Sequence, residues 1–164
     1  MCTAIGWRAK RFYFGRNLDV DASWGEQLVI CPRKAPLLFR QAPALKRHYA
    51  IIGMARMEDG VPLYFDGMNE KGLCMAGLLF SHSARYQPLQ RDKQNIAPFE
   101  LMSWVLGQCA DMGEARRLLE KTSVWEEAFS PALPPAPMHW FLADASGAIA
   151  AEPLAEGLRL FETM

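Results

Sequence analysis

A chain of 164 residues, 51% hydrophobic and 22% charged, is long enough to bury one sizeable core, so a single domain over residues 1–164 is expected. Its 18 basic and 18 acidic residues cancel, which excludes the broad positive field of a nucleic-acid binder. No apolar run reaches the length of a membrane span, and Arg8, Lys10 and Arg11 interrupt any signal-peptide core, so the chain reads as soluble and cytoplasmic, with neither nucleic acid nor membrane as partner.

Met1-Cys2-Thr3 opens the chain. A small second residue permits removal of the initiator methionine, and Cys2 then carries a thiol and a free α-amine on one carbon. That amine is a base with an unperturbed pKa of about 7.7–8.0, next to a sulfur nucleophile. If Met1 is kept, the amine belongs to methionine and Cys2 is in a precursor state. Residues 2–8 and 12–18 predict two strands joined by a basic turn at 9–11, because Ile5, Trp7, Phe12 and Phe14 suit a pleated surface. A hairpin there would hold the N-terminal cysteine rigidly. Arg16 and Asp19 follow at the end of its second strand. Asp19 is a candidate to hold the α-amine of Cys2, and Arg16 to lower the thiol pKa or to contact substrate; a surface ion pair is the plainer alternative.

Glu26–Cys31, closed by Pro32, and residues 48–57 predict further strands, and the proline-rich, basic stretch 33–47 a loop with Arg33, Arg40, Lys46 and Arg47 in solvent. Residues 63–66 predict a short strand and 66–72 a turn. The apolar run 73–80 is too short for a typical helix and suits a strand covered on both faces, which requires a layered architecture. Gly77 within it marks a bulge or a close backbone approach. Residues 81–97 read as irregular. Ser81-His82-Ser83 is set aside as a catalytic group because a lone histidine beside serines lacks the partners of a triad; His48 and His139, each beside an aromatic residue in a predicted strand, are set aside likewise.

Residues 98–110 predict a helix with one mainly apolar face, and a second starts at Asp111, with Glu114 three residues on and Ala115, Leu118 and Leu119 as its buried stripe. The four prolines of 130–137 exclude regular structure. A hairpin follows, 138–144 and 148–152, with a further strand at 157–161. Two helices after several strands give an α+β class with an α layer on a sheet. The cysteines Cys2, Cys31, Cys74 and Cys109 form no C-x-x-C pair, which argues against zinc, and the last three sit in apolar runs as small hydrophobes.

Met-Cys-Thr at the start, Phe-Gly-Arg-Asn-Leu-Asp at 14–19, Cys-Pro-Arg at 31–33, Asp-Gly-Met-Asn-Glu-Lys-Gly-Leu at 66–73 and Met-His-Trp-Phe-Leu-Ala-Asp at 138–144 resemble the choloylglycine hydrolase family. Its members include bile salt hydrolases and penicillin V acylases, N-terminal nucleophile hydrolases of amide bonds. The resemblance implies an αββα sandwich, incomplete here because the chain matches only the N-terminal half of the family. It also implies hydrolysis of a small-molecule N-acyl amide with no metal or cofactor. Cys2 matches the nucleophile, and Arg16 and Asp19 the active-site arginine and aspartate. At the oxyanion position the family has asparagine or tyrosine before an aromatic residue; here Leu79 precedes Phe80. The absent half would bring a further active-site asparagine, an arginine and the remaining strands, so the expected chain is a fragment or a short product, with self-association or a non-catalytic remnant as the alternative to an active hydrolase.

Overall fold

The computed structural model describes residues 2–163; Met1, and with it the question of its removal, lies outside the described residues. The chain opens with a hairpin of β1 (Thr3–Arg8) and β2 (Phe12–Asn17), paired antiparallel with Ala4 opposite Arg16 and Gly6 opposite Phe14. The main sheet has eight strands: β3 (Glu26–Cys31), β4 (Ile51–Glu58), β5 (Val61–Tyr64), β6 (Asp66–Asn69), β7 (Cys74–Leu79), β10 (Met138–Asp144), β11 (Gly147–Leu154) and β12 (Gly157–Thr163). Their order is β12-β11-β10-β7-β6-β4-β3, with β5 paired to the far end of β4. A short parallel pair, β8 (Gln94–Ile96) and β9 (Thr122–Val124), lies apart.

Helices α1 (Leu101–Gln108) and α2 (Met112–Glu120) cover one face of this sheet. The core lies between them, where Ile51, Met75, Trp140, Leu142 and Ile149 meet Leu101, Val105, Leu106 and Leu119. Asp111 caps α2 by accepting the Glu114 N–H at 2.9 Å, and the Glu114 carboxylate reaches back to the Ala110 N–H at 2.7 Å. The first bond satisfies an amide that the helix itself leaves open, and the second ties the helix to the residue before its cap. The opposite face is only partly covered. There the hairpin packs over β7 and β10, with Phe14 stacked on Phe141 at 6.1 Å between ring centres. The layers are therefore helices, main sheet and a two-stranded start of a second sheet.

Several expectations change. Residues 66–69 are a strand and the turn is confined to 70–72, because Asp66, Gly67 and Met68 pair with β7. The helix expected over 98–110 begins at Leu101, and every residue from Leu101 to Gly107 is buried, so it lacks the single apolar face its spacing suggested. On α2, Ala115 and Leu119 are buried but Leu118 only half so. The irregular stretch 81–97 contains β8. His48 precedes β4 and is 8% exposed, its Nδ1 and Nε2 lying 2.7 and 2.6 Å from the Tyr49 and Ala35 carbonyl oxygens. Arg33 and Arg40 are not merely solvated: Arg33 pairs with Glu70, and Arg40 donates to the Phe129 carbonyl at 2.8 Å. β7 is buried from Cys74 through Leu78, as a strand covered on both faces must be.

Candidate active site

The hairpin's alternation determines which side chains look into the gap between the layers. A Cβ on Gly6 would meet Ala143 at 3.3 Å, so the side of the hairpin bearing Gly6 and Phe14 faces the main sheet. Arg16 and Ala4 share that side. Continuing the alternation one step before β1 puts the half-buried Cys2 there too, diagonal to Arg16, and diagonal neighbours lie roughly 7–8 Å apart. Ile5, Trp7 and Tyr13 take the outer side, each more than half exposed. The Cys2 Sγ lies 3.9 Å from the Asp19 carbonyl oxygen, and the Thr3 N–H donates to Asn17 Oδ1 at 2.5 Å. The structure thus gathers Cys2, Arg16 and Asp19 at one end of the hairpin.

Arg16 crosses the gap. Its side chain is 6% exposed, Nη2 donates to the Gly77 carbonyl at 2.6 Å, and Nε stands 3.6 Å from Asp66 Oδ2. Gly77 offers this carbonyl because of a local break in strand pairing. The Phe65 N–H goes to Met54 on β4 while the Phe65 carbonyl takes the Gly77 N–H, leaving the Gly77 oxygen without a ladder partner. The close approach at Gly77 is to a side chain rather than to backbone: a Cβ there would come within 2.9 Å of Met138 Cε, while the nearest backbone atom, the Phe65 oxygen, is at 3.6 Å.

Leu79 sits two residues beyond, its side chain 58% exposed and without a donor. The Gly77 N–H points toward β6 and the Phe80 N–H pairs with Pro137 on the other side. Alternation turns the Leu79 N–H toward the β6 side, the side from which Arg16 approaches.

Asp66 is the site residue that reading the sequence missed. Local sequence puts it at the junction of a short strand and a turn, and only the pairing of β6 with β7 turns it toward the hairpin. Burial pushes its carboxyl up, against the pull of the Met54 N–H at 3.3 Å and the Arg16 charge. The other cysteines are buried free thiols; burial raises Cys31, lifts Cys74 to about 11 and Cys109 to about 12. The contacts of His82 and His139 are with other groups. His82 is exposed with φ of 66°, and His139 stacks on Phe80 at 4.5 Å and faces Glu152 at 3.5 Å. Among the described residues no group of three or more His, Cys, Asp or Glu gathers to hold a metal, and no helix is long and apolar enough to cross a membrane.

The layers and the hairpin-borne cysteine match a fold of known chemistry. The chain superimposes on the C2A mutant of the conjugated bile acid hydrolase from Clostridium perfringens with a TM-score of 0.92 and 29% identity, over 99% of this chain and 51% of that one. It follows the penicillin V acylase of Agrobacterium tumefaciens with a TM-score of 0.74 at 20% identity, over 98% and 49% of the two chains. This is the N-terminal nucleophile hydrolase fold of the bile acid hydrolases, present over about half its length.

Residues 2–164 match the model of the linear amide C–N hydrolases, choloylglycine hydrolase family, and the chain belongs to that family. It is 45% identical to a bile salt hydrolase/transferase of Lactiplantibacillus plantarum, over 99% of this chain and 50% of that protein. To a conjugated bile acid hydrolase of Lactobacillus gasseri it is 36% identical, over 99% and 52%. The chain spans about half the length of these curated relatives.

Proposed function

We propose that this chain carries the nucleophile-bearing half of an amide hydrolase acting on small N-acyl amides of the conjugated bile salt or penicillin V kind. The observation that supports this reading is that Cys2 and Arg16 share the side of the hairpin facing the gap between the layers, with the Asp19 main-chain carbonyl 3.9 Å from the Cys2 sulfur. With Cys2 as first residue, its α-amine takes the thiol proton. The sulfur attacks the amide carbonyl carbon, and the carbonyl π pair moves to oxygen. Collapse of this tetrahedral adduct breaks the C–N bond, the amine leaving with the proton held by the α-amine. Water, deprotonated by the same amine, then hydrolyses the thioester and restores the thiol.

Leu79 sets a handicap on this chemistry. Its side chain supplies no hydrogen bond to the oxyanion, and the loss of one such donor typically costs about 10²–10³ in rate. Backbone amides are the donors left to this chemistry, and alternation along β7 turns the Leu79 N–H toward the β6 side. Incubation of the purified protein with glycine- and taurine-conjugated bile salts and with penicillin V tests the reading. Amine release is expected from at least one of them and is lost in Cys2→Ala; release that persists in both Cys2→Ala and Cys2→Ser would remove Cys2 as nucleophile.

One observation favours a second reading, a non-catalytic remnant that associates through the uncovered sheet face. Leu28 and Ile30 on β3 are each 65% exposed and Met68 on β6 is 45% exposed, on the face away from the helices. Leu28 and Met68, with Phe12, Ile52 and Met54, border an open apolar cleft of about 510 Å³. Such a continuous apolar surface marks an interface.

A further inference from the structure

We propose that Asp66 is a positioning residue for the Cys2 site: its carboxylate fixes the Arg16 guanidinium between the two β layers, and that orientation sets the reactivity of the Cys2 thiol. This rests on the reading of Cys2 and Arg16 given above and extends it to a residue on the opposite layer.

The need for an anchor follows from burial. A guanidinium that is 94% removed from solvent is costly unless its charge is compensated. Arg16 has two partners on the main sheet, the Gly77 carbonyl through Nη2 and Asp66 through Nε, while Nε and Nη1 are buried with no hydrogen-bond acceptor. The hydrogen bond to Gly77 holds one end of the group, and Asp66 adds a charge contact at 3.6 Å on its Nε side, longer than a hydrogen bond but the compensating charge for the buried guanidinium. Asp66 is itself held, since the Met54 N–H donates to its Oδ1 and its backbone pairs with Ala76.

The sequence gives the connection no local signal. Arg16 and Asp66 are 50 positions apart and lie on different sheets, meeting only because the hairpin packs over β7 and β10 beside β6. By strand alternation Arg8 and Arg16 lie on the inward side of the hairpin, with Asp19 just beyond its end. The facing side of the main sheet carries Asp66 on β6, Arg56 and Glu58 paired at 2.9 Å on β4, Glu26 on β3, His139 and Glu152 3.5 Å apart on β10 and β11, and Arg159 on β12. Among the described residues Asp66 is the carboxylate in contact with Arg16, so a change there reaches Cys2 through Arg16.

The test is the pH profile of Cys2 alkylation by iodoacetamide on the purified chain, with modified peptides quantified by mass spectrometry. The other three thiols are buried and raised, so they react slowly below pH 9. Arg16→Ala and Asp66→Asn are both expected to move the profile to higher pH and to slow alkylation at pH 7 by about threefold to tenfold. The double variant is expected to be no slower than Arg16→Ala. Removal of a negative charge that acted on Cys2 directly would instead move the profile to lower pH. That opposite sign, or an unchanged profile in Asp66→Asn beside a shifted Arg16→Ala, overturns the positioning role alone. An unchanged profile in Arg16→Ala overturns the role of Arg16 and the proposal with it. Should Asp66→Asn fail to fold by circular dichroism, Asp66→Ser, which removes the charge and keeps a short acceptor for the Met54 N–H, takes its place with the same expected outcomes.

Discussion

Within the 66–73 block, single residues divide between the site and the scaffold. Asn69 is 1% exposed; its Nδ2 donates to the Leu106 and Cys109 carbonyls and its Oδ1 accepts from Lys71 and Leu73, so it ties the end of α1 to the turn after β6. Glu70 accepts from Ala50 N–H at 2.8 Å and forms a fork with Arg33. The Arg33 hydrogen bonds come first among the causes that pull the Glu70 carboxyl from 4.5 down to about 2. A carboxyl held lower in the folded state stabilises it above the ordinary value, and that contribution fades as pH falls from 4.5 to about 2. Thermal unfolding of Glu70→Gln across this range checks it. The variant should melt lower than the parent above pH 5 and converge with it near pH 2; a constant gap would contradict the coupling. The motif was legible as a family signature, but nothing in its spelling separates Asp66, which faces the hairpin, from Asn69 and Glu70, which hold the turn. That division is a matter of place: Asp66 and Asn69 lie on opposite faces of β6, and Glu70 lies in the turn beyond its end.

At the scale of elements, local chemistry was legible where it is self-contained. The hairpin at 3–17, the Asp111 cap and the strand pair after the prolines all form where side-chain alternation and turn residues predict them. The errors fall where pairing with a distant strand decides. β6 looked like a turn because Asp66-Gly67-Met68-Asn69 has poor strand propensity, and pairing with β7 and β4 overrides it. β8 and β9 are three residues each and form only against each other across 25 intervening residues, 97–121. Gly53 gives the β4–β6 junction a sharp test. A Cβ there would lie 2.0 Å from the Asp66 carbonyl oxygen and 2.7 Å from the Gly67 Cα, both backbone atoms that cannot swing aside. Gly53→Ala is expected to destabilise the fold by about 3 kcal/mol or more in urea unfolding and to displace Asp66 from Arg16. A variant within about 1 kcal/mol of the parent would show that β6 does not need this approach.

For the whole molecule, the decisive feature is the face that the hairpin leaves bare. β3 is an edge strand, and its Leu28 and Ile30 pair with Met54 and Ile52 on an apolar surface no described element covers. A net charge of zero offers no repulsion to keep copies apart. Light scattering after size-exclusion chromatography is expected to give a mass that rises with concentration, and Leu28→Glu with Ile30→Glu to restore the monomer. A wild-type chain that stays monomeric would remove association through this face. Sequence by itself determined the family, the nucleophile candidate and the layered class, because those depend on local spellings: a cysteine at position 2, an Arg-Asn-Leu-Asp strand end, a doubly apolar strand. Only the tertiary structure decided that Arg16 meets Asp66 and Gly77, that Leu79 turns its amide to the β6 side, and that part of one sheet face is left uncovered by the described elements. Each of these depends on which strands come together across long stretches of chain, and the strength of a buried charge pair or a bare apolar face exists only once they have.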